Sequence, residues 1–113
     1  MLVYRVQLRT NPYVGPYRYD YPELLGITYD WRFKGDAIRY PHPYIDGIDL
    51  DKVKSKHFFG FASVGDLHNW FAEAFAVLDR YGFTAVAYEV PDEHIMLGTK
   101  QLVFDMTKAV RVS

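Results

Sequence analysis

Apolar and polar residues alternate from the second residue onward. Leu2, Tyr4, Val6 and Leu8 fall on one side, and Val3, Arg5, Gln7 and Arg9 on the other. Period two predicts a strand with an apolar face and a polar-leaning face. The run His57-Phe58-Phe59-Gly60-Phe61-Ala62 predicts another strand. From Ser63 the period changes. Leu67, Trp70, Phe71, Ala74, Val77, Leu78 and Tyr81 recur at spacings of three and four, which makes one apolar stripe and predicts a helix over 64–81. Ser63 supplies its N-cap, Asp66 an acid in the first turn, and Gly82 the stop. Phe83 to Val90 reads as a buried strand, and Pro91-Asp92-Glu93 as a turn. Ile95 to Leu97 and Gln101 to Met106 read as strands, with a bulge or bend at Gly98 between them. Ala109 to Val112 adds a short last strand. The fold class that follows is α+β, a mixed or antiparallel sheet with one main helix on one face.

Residues 10–56 have a different texture. Asn11-Pro12, Gly15-Pro16, Tyr21-Pro22, Pro41-His42-Pro43 and Asp46-Gly47 are turn or extended signals. A short helix fits Pro22-Glu23-Leu24-Leu25, ending at Gly26, and a short strand fits Tyr29 to Phe33. Eight of the ten tyrosines lie at or before Tyr44. The result is a long, irregular, aromatic-rich N-terminal half, and stretches of this kind usually carry function or wrap a core with large side chains.

The length of 113 residues suits one domain, 1–113. Half the residues are hydrophobic, too many for a disordered chain. The chain has no cysteine, which excludes disulfides, thiolate zinc sites and cysteine nucleophiles, and favours a reducing, cytoplasmic compartment. Residues Met1 to Arg5 do not read as a signal peptide, and no run approaches the roughly 18 apolar residues of a membrane span. A net charge of −1 argues against general nucleic-acid binding, which needs a basic footprint.

Candidate chemistry is sparse. His42, His57, His68 and His94 show no paired spacing typical of a metal site. His68, off the centre of the helical stripe, reads as a surface residue. Asp46, Asp49 and Asp51 are the densest acids, but they lack the glycine and terminal glutamate of a calcium loop, so a solvated acidic loop is favoured. The turn Gly60-Phe61-Ala62-Ser63 opens a helix whose free N–H groups suit an anion, yet without clustered glycines it reads first as a capped helix. The most unusual feature is the interleaving of rings and guanidiniums. Tyr13, Tyr17, Arg18, Tyr19 and Tyr21, then Tyr29, Trp31 and Arg32, suit a contact surface for a protein partner or for a stacked base or nicotinamide-like ring, or aromatic cover for a sheet with few helices.

Two resemblances add to this reading. The ordered series Gly15-Pro16-Tyr17-Arg18, His42-Pro43, Asp46, Phe59-Gly60-Phe61-Ala62-Ser63, Trp70-Phe71, Gln101 and Phe104 resembles small proteins of tailed bacteriophages and prophages. That resemblance implies an accessory protein, active in the host-cell cytoplasm, that binds and inhibits a host or anti-phage defence protein. It is also compatible with a structural or assembly component. The layout is similar, too, to the minimal ADP-ribosyltransferase fold, which implies an NAD cleft. Arg5 would then hold cofactor phosphates, Ser63 would support the cleft, and Gln101 would stand where the family has a catalytic glutamate. Gln101 carries no charge, a departure that leaves nucleotide binding more plausible than transfer. The leading expectation is a non-enzymatic binding protein without cofactor. An NAD-binding enzyme or its relic is the rival.

Overall fold

The structure, a computed structural model, describes residues 1–13, 15, 47–72 and 74–113. Strand β1 (Leu2–Leu8) is followed, after a 3₁₀ turn at Leu50–Lys52, by β2 (His57–Gly60). Helices α1 (Val64–Phe71) and α2 (Ala74–Arg80) come next, then β3 (Phe83–Glu89), β4 (Ile95–Leu97), β5 (Leu102–Asp105) and β6 (Val110–Arg111). Among the described residues the strands form two antiparallel sheets of three, in the orders β1-β3-β6 and β2-β5-β4. The class is α+β, as the periodicities predict.

Both faces of β1 are used. Tyr4, Val6 and Leu8 pack with Phe61, Leu67, Trp70, Phe71, Leu78 and Phe83, which places the helices on that side. Val3 packs on the other side with Val86, Tyr88, Val90, Leu102 and Phe104, between the two sheets. Each Leu or Phe taken fully from water contributes about 1.5–3 kcal/mol, so these clusters supply the main favourable term. The polar-leaning face of β1 is therefore interior. Arg5 and Gln7 are buried on it beside Val3. Burying a polar group is costly unless it is hydrogen-bonded. The Tyr88 hydroxyl donates to Gln7 Oε1 at 2.8 Å within this layer.

The sheets join where β2 ends. The Tyr4 and Phe61 backbones exchange two hydrogen bonds, each of 2.8 Å. Only glycine fits the preceding position. A Cβ on Gly60 would lie 2.7 Å from Val3 Cγ1, 2.9 Å from the Tyr4 carbonyl oxygen and 3.2 Å from Phe104 Cε1. Backbone contact at that distance leaves no flexible side chain to move aside.

The helical stripe is one period but two helices. Ser63 is the N-cap as predicted, its hydroxyl accepting from the Asp66 amide at 3.0 Å. The chain then breaks at Ala72, whose φ of 44° and ψ of −128° are unfavourable for a residue with a Cβ. Such a conformation costs about 1–3 kcal/mol and persists where packing over-determines it. Here Trp70, Phe71 and Leu78, on either side of the break, all reach one cluster. Neither Gly nor Pro marks the break in sequence. Tyr81, expected on the stripe, lies past the end of α2 and is exposed. Gly82 ends the helical run with a φ of 90°. The interruption at Gly98 is a tight turn in which its amide donates to the Gln101 carbonyl at 2.9 Å, making β4 and β5 a hairpin.

The predicted helix at Pro22–Leu25 and strand at Tyr29–Phe33 lie outside the described residues. Gly60→Ala is expected to lower stability by about 2–3 kcal/mol, the upper range for overpacking. Urea denaturation of the variant and the parent measures this, and an unchanged midpoint would contradict the close approach at Gly60.

Candidate functional site

A buried arginine, Arg5, gathers contacts from several segments of the described structure. Strand alternation aims the side chain at the second sheet, and only 7% of the residue is exposed. Its Cζ lies 4.6 Å from the centre of the Phe58 ring, a cation–π contact strengthened by exclusion of water. Nη1 donates to the Phe59 carbonyl at 3.4 Å and Nη2 to the Pro12 carbonyl at 3.5 Å. Gly15 lies against the same fork. A Cβ there would sit 3.3 Å from Nη2. Arg5 thus ties three segments together: β1, the start of β2, and the turn that leads from β1 into the aromatic-rich stretch.

Tyr13 stands on that turn. The Asn11 side chain accepts a hydrogen bond from the Tyr13 amide at 3.1 Å, a local turn that asparagine favours. The Tyr13 ring meets Phe58 edge to face, with centroids 5.9 Å apart. Phe58 is itself edge to face with Phe104 at 6.5 Å, so the aromatic contacts run from the core outward. Tyr13 remains 60% exposed at the outer end. Tyr17, Arg18, Tyr19, Tyr21, Trp31 and Arg32 lie outside the described residues, as do His42 and Asp46.

The residues of the NAD reading are placed differently from one another. Arg5 projects from the face of β1 that meets the second sheet. Ser63 begins α1, which packs over the opposite face, and its hydroxyl is engaged in capping. Gln101 closes the β4–β5 turn and is buried. An arginine held between carbonyls and a ring is poorly placed to meet phosphates, so the resemblance to ADP-ribosyltransferases finds no support in this geometry. Asp66 in the first turn of α1 opposes an anion there. A cleft of about 170 Å³ lies between Asp66, Asn69 and Trp70 of α1 and Thr99 and Lys100 of the hairpin turn. Among the described residues no group of three or more His, Cys, Asp or Glu side chains is arranged to hold a metal. His68 is exposed beside Phe75, at 4.8 Å between ring centres.

Asp105 is the one described carboxylate driven well below its ordinary pKa. It is 1% exposed. The Thr107 hydroxyl donates to it at 2.5 Å, the Thr107 amide at 2.9 Å, and the Lys56 ammonium lies 3.0 Å away. The Thr107 hydroxyl contributes most. Together these donors outweigh burial, which acts in the opposite sense, and bring the pKa down to about 2.

Sequence reasoning missed Pro12, Gly15 and Phe58 as partners of Arg5. Both turn residues were legible only as turn signals, and the one available hint was an arginine inside a strand that is otherwise mostly apolar.

With this geometry in hand, comparison with known proteins places the chain among bacteriophage proteins. Its whole length, residues 1–113, matches the family described as Bacteriophage T4 Y00F protein, and the chain belongs to that family. No curated protein and no solved structure matches it. The phage resemblance read from the sequence is thereby supported. Among the described residues no helix is long and apolar enough to cross a membrane.

The sign of the Asp105 effect is testable. Its folded pKa lies below the unfolded value of about 3.9, so its contribution is fully present above that value and is lost as pH falls toward 2. Asp105→Asn is expected to cost roughly 1–2 kcal/mol at pH 7 and to flatten the stability profile between pH 4 and pH 2, as read from urea midpoints. A variant as acid-sensitive as the parent would contradict this assignment.

Proposed function

We propose that this chain is a phage accessory protein that binds and inhibits a host protein, such as a component of anti-phage defence, through an aromatic surface beginning at Tyr13. The observation that carries this reading is the position of Tyr13. A large ring with a polar tip is held outward at 60% exposure while its inner edge rests on Phe58. Tyr and Arg are the side chains that most often dominate protein–protein binding energy, because they present large contact area with hydrogen-bonding capacity at modest entropic cost. The same chemistry continues along the chain through Tyr17, Arg18, Tyr19, Tyr21, Trp31 and Arg32. Burying a surface richer in rings than in cations favours a protein partner over a nucleic-acid backbone, which rewards lysine and arginine density. Such a partner would be met in the host-cell cytoplasm.

The test is quantitative affinity. Host proteins captured by the tagged chain during infection are identified, purified and titrated against the parent, Tyr13→Ala and the triple replacement of Tyr17, Arg18 and Tyr19 by Ala. Loss of a hot-spot tyrosine costs at least about 2 kcal/mol, or roughly 30-fold in Kd. Folded variants that bind as tightly as the parent would overturn the proposal. A stable symmetric oligomer that buries the aromatic surface would favour an assembly role instead.

A further inference from the structure

We infer that Arg5 is the positioning residue of this recognition surface: it clasps the turn carrying Tyr13 onto β2 and so sets the direction in which that ring is offered. The functional part of this inference rests on the reading of Tyr13 as a contact residue. The geometric part stands by itself.

Three features converge on the clasp. The fork of Arg5 reaches the carbonyls of Phe59 on β2 and Pro12 on the turn, one residue before Tyr13. The same guanidinium lies over the Phe58 ring, its Cζ 4.6 Å from the ring centre, and that ring is the one Tyr13 packs against at right angles. Gly15, two residues beyond Tyr13, lies close enough to the fork that a methyl group would press on it at 3.3 Å. Arg5 therefore bonds the chain just before Tyr13, leaves no free space for a side chain just after it, and lies on the aromatic support beneath it. Lysine cannot replace it, because an ammonium lacks the planar fork that spans two carbonyls while lying over a ring. The location also explains a charged side chain on the interior face of β1. The guanidinium donates to carbonyls of both β2 and the turn, so its charge is used to fasten a segment rather than to meet solvent.

The experiment separates geometry from function. The protein is prepared with 3-fluorotyrosine, and the fluorine resonance of Tyr13 is identified by its loss in Tyr13→Phe. Phe58→Leu then defines the resonance of Tyr13 without its supporting ring. In Arg5→Lys the Tyr13 resonance is expected to move toward that position, while that of Tyr88, buried and bonded to Gln7, stays in place. Gly15→Ala, which crowds the fork from the other side, is expected to move the same resonance and serves where Arg5→Lys does not fold. A Tyr13 resonance unmoved in a folded variant of either kind overturns the positioning role, whatever the affinity. A resonance that moves together with a fall in partner affinity of tenfold or more supports both readings. A resonance that moves with affinity unchanged supports the clasp and overturns the recognition role of Tyr13.

Discussion

The backbones of β1 and β2 approach at Gly60 more closely than any side chain would permit, and the two sheets depend on that approach. Val3 and the Tyr4 carbonyl occupy the space where a Cβ would be. Without it the paired hydrogen bonds between Tyr4 and Phe61 could not form, and β2-β5-β4 would lose its register against β1. The interior layer of Val3, Val86, Tyr88, Leu102 and Phe104 exists because the sheets are held at that distance. The helical side follows from the same joint. Phe61, the residue after Gly60, turns to the opposite face and enters the cluster with Trp70 and Phe71, at 5.6 and 6.0 Å between ring centres. One residue thus sets both layers.

The same joint governs the polar chemistry. Because the sheets close over β1, its alternate side chains Arg5 and Gln7 must find partners inside. Gln7 finds Tyr88. Arg5 finds the Phe58 ring and the Phe59 carbonyl, which belong to the strand that the joint brings near. The aromatic surface proposed for recognition is then an outward continuation of the interior, from Phe104 through Phe58 to Tyr13. Ion pairs on the exterior, such as Arg9 with Asp79, are largely solvated and contribute little by comparison.

Much of this architecture was legible in the sequence, and the reasons differ by element. The capped start of α1 was legible because Ser63 and Asp66 act locally, within one turn. The strands at 83–89 and 102–105 were legible because most of their residues are apolar and buried. The break at Ala72 was not legible, since it arises from packing of Trp70, Phe71 and Leu78 against distant strands and leaves the three-to-four spacing intact. The interior placement of Arg5 and Gln7 was also hidden. Alternation reports that two faces differ, and a polar face covered by a second sheet has the same pattern as one covered by water. Of the residues grouped around Arg5, Tyr13 stood out by composition, while Pro12, Gly15 and Phe58 did not, because their importance comes from where Arg5 reaches. The resemblance to ADP-ribosyltransferases finds no support for a related reason: a matching residue order carries no information on which face of a strand each residue occupies.

Native-state hydrogen exchange at the Tyr4 and Phe61 amides tests most directly whether the joint at Gly60 holds the two sheets as one body. If it does, both amides exchange only through global unfolding, with the same free energy as the slowest amides of the β1–β3 ladder. Exchange at these two sites through a far cheaper opening, with the β1–β3 ladder still protected, would mean that the sheets part independently and that the joint does not govern the fold.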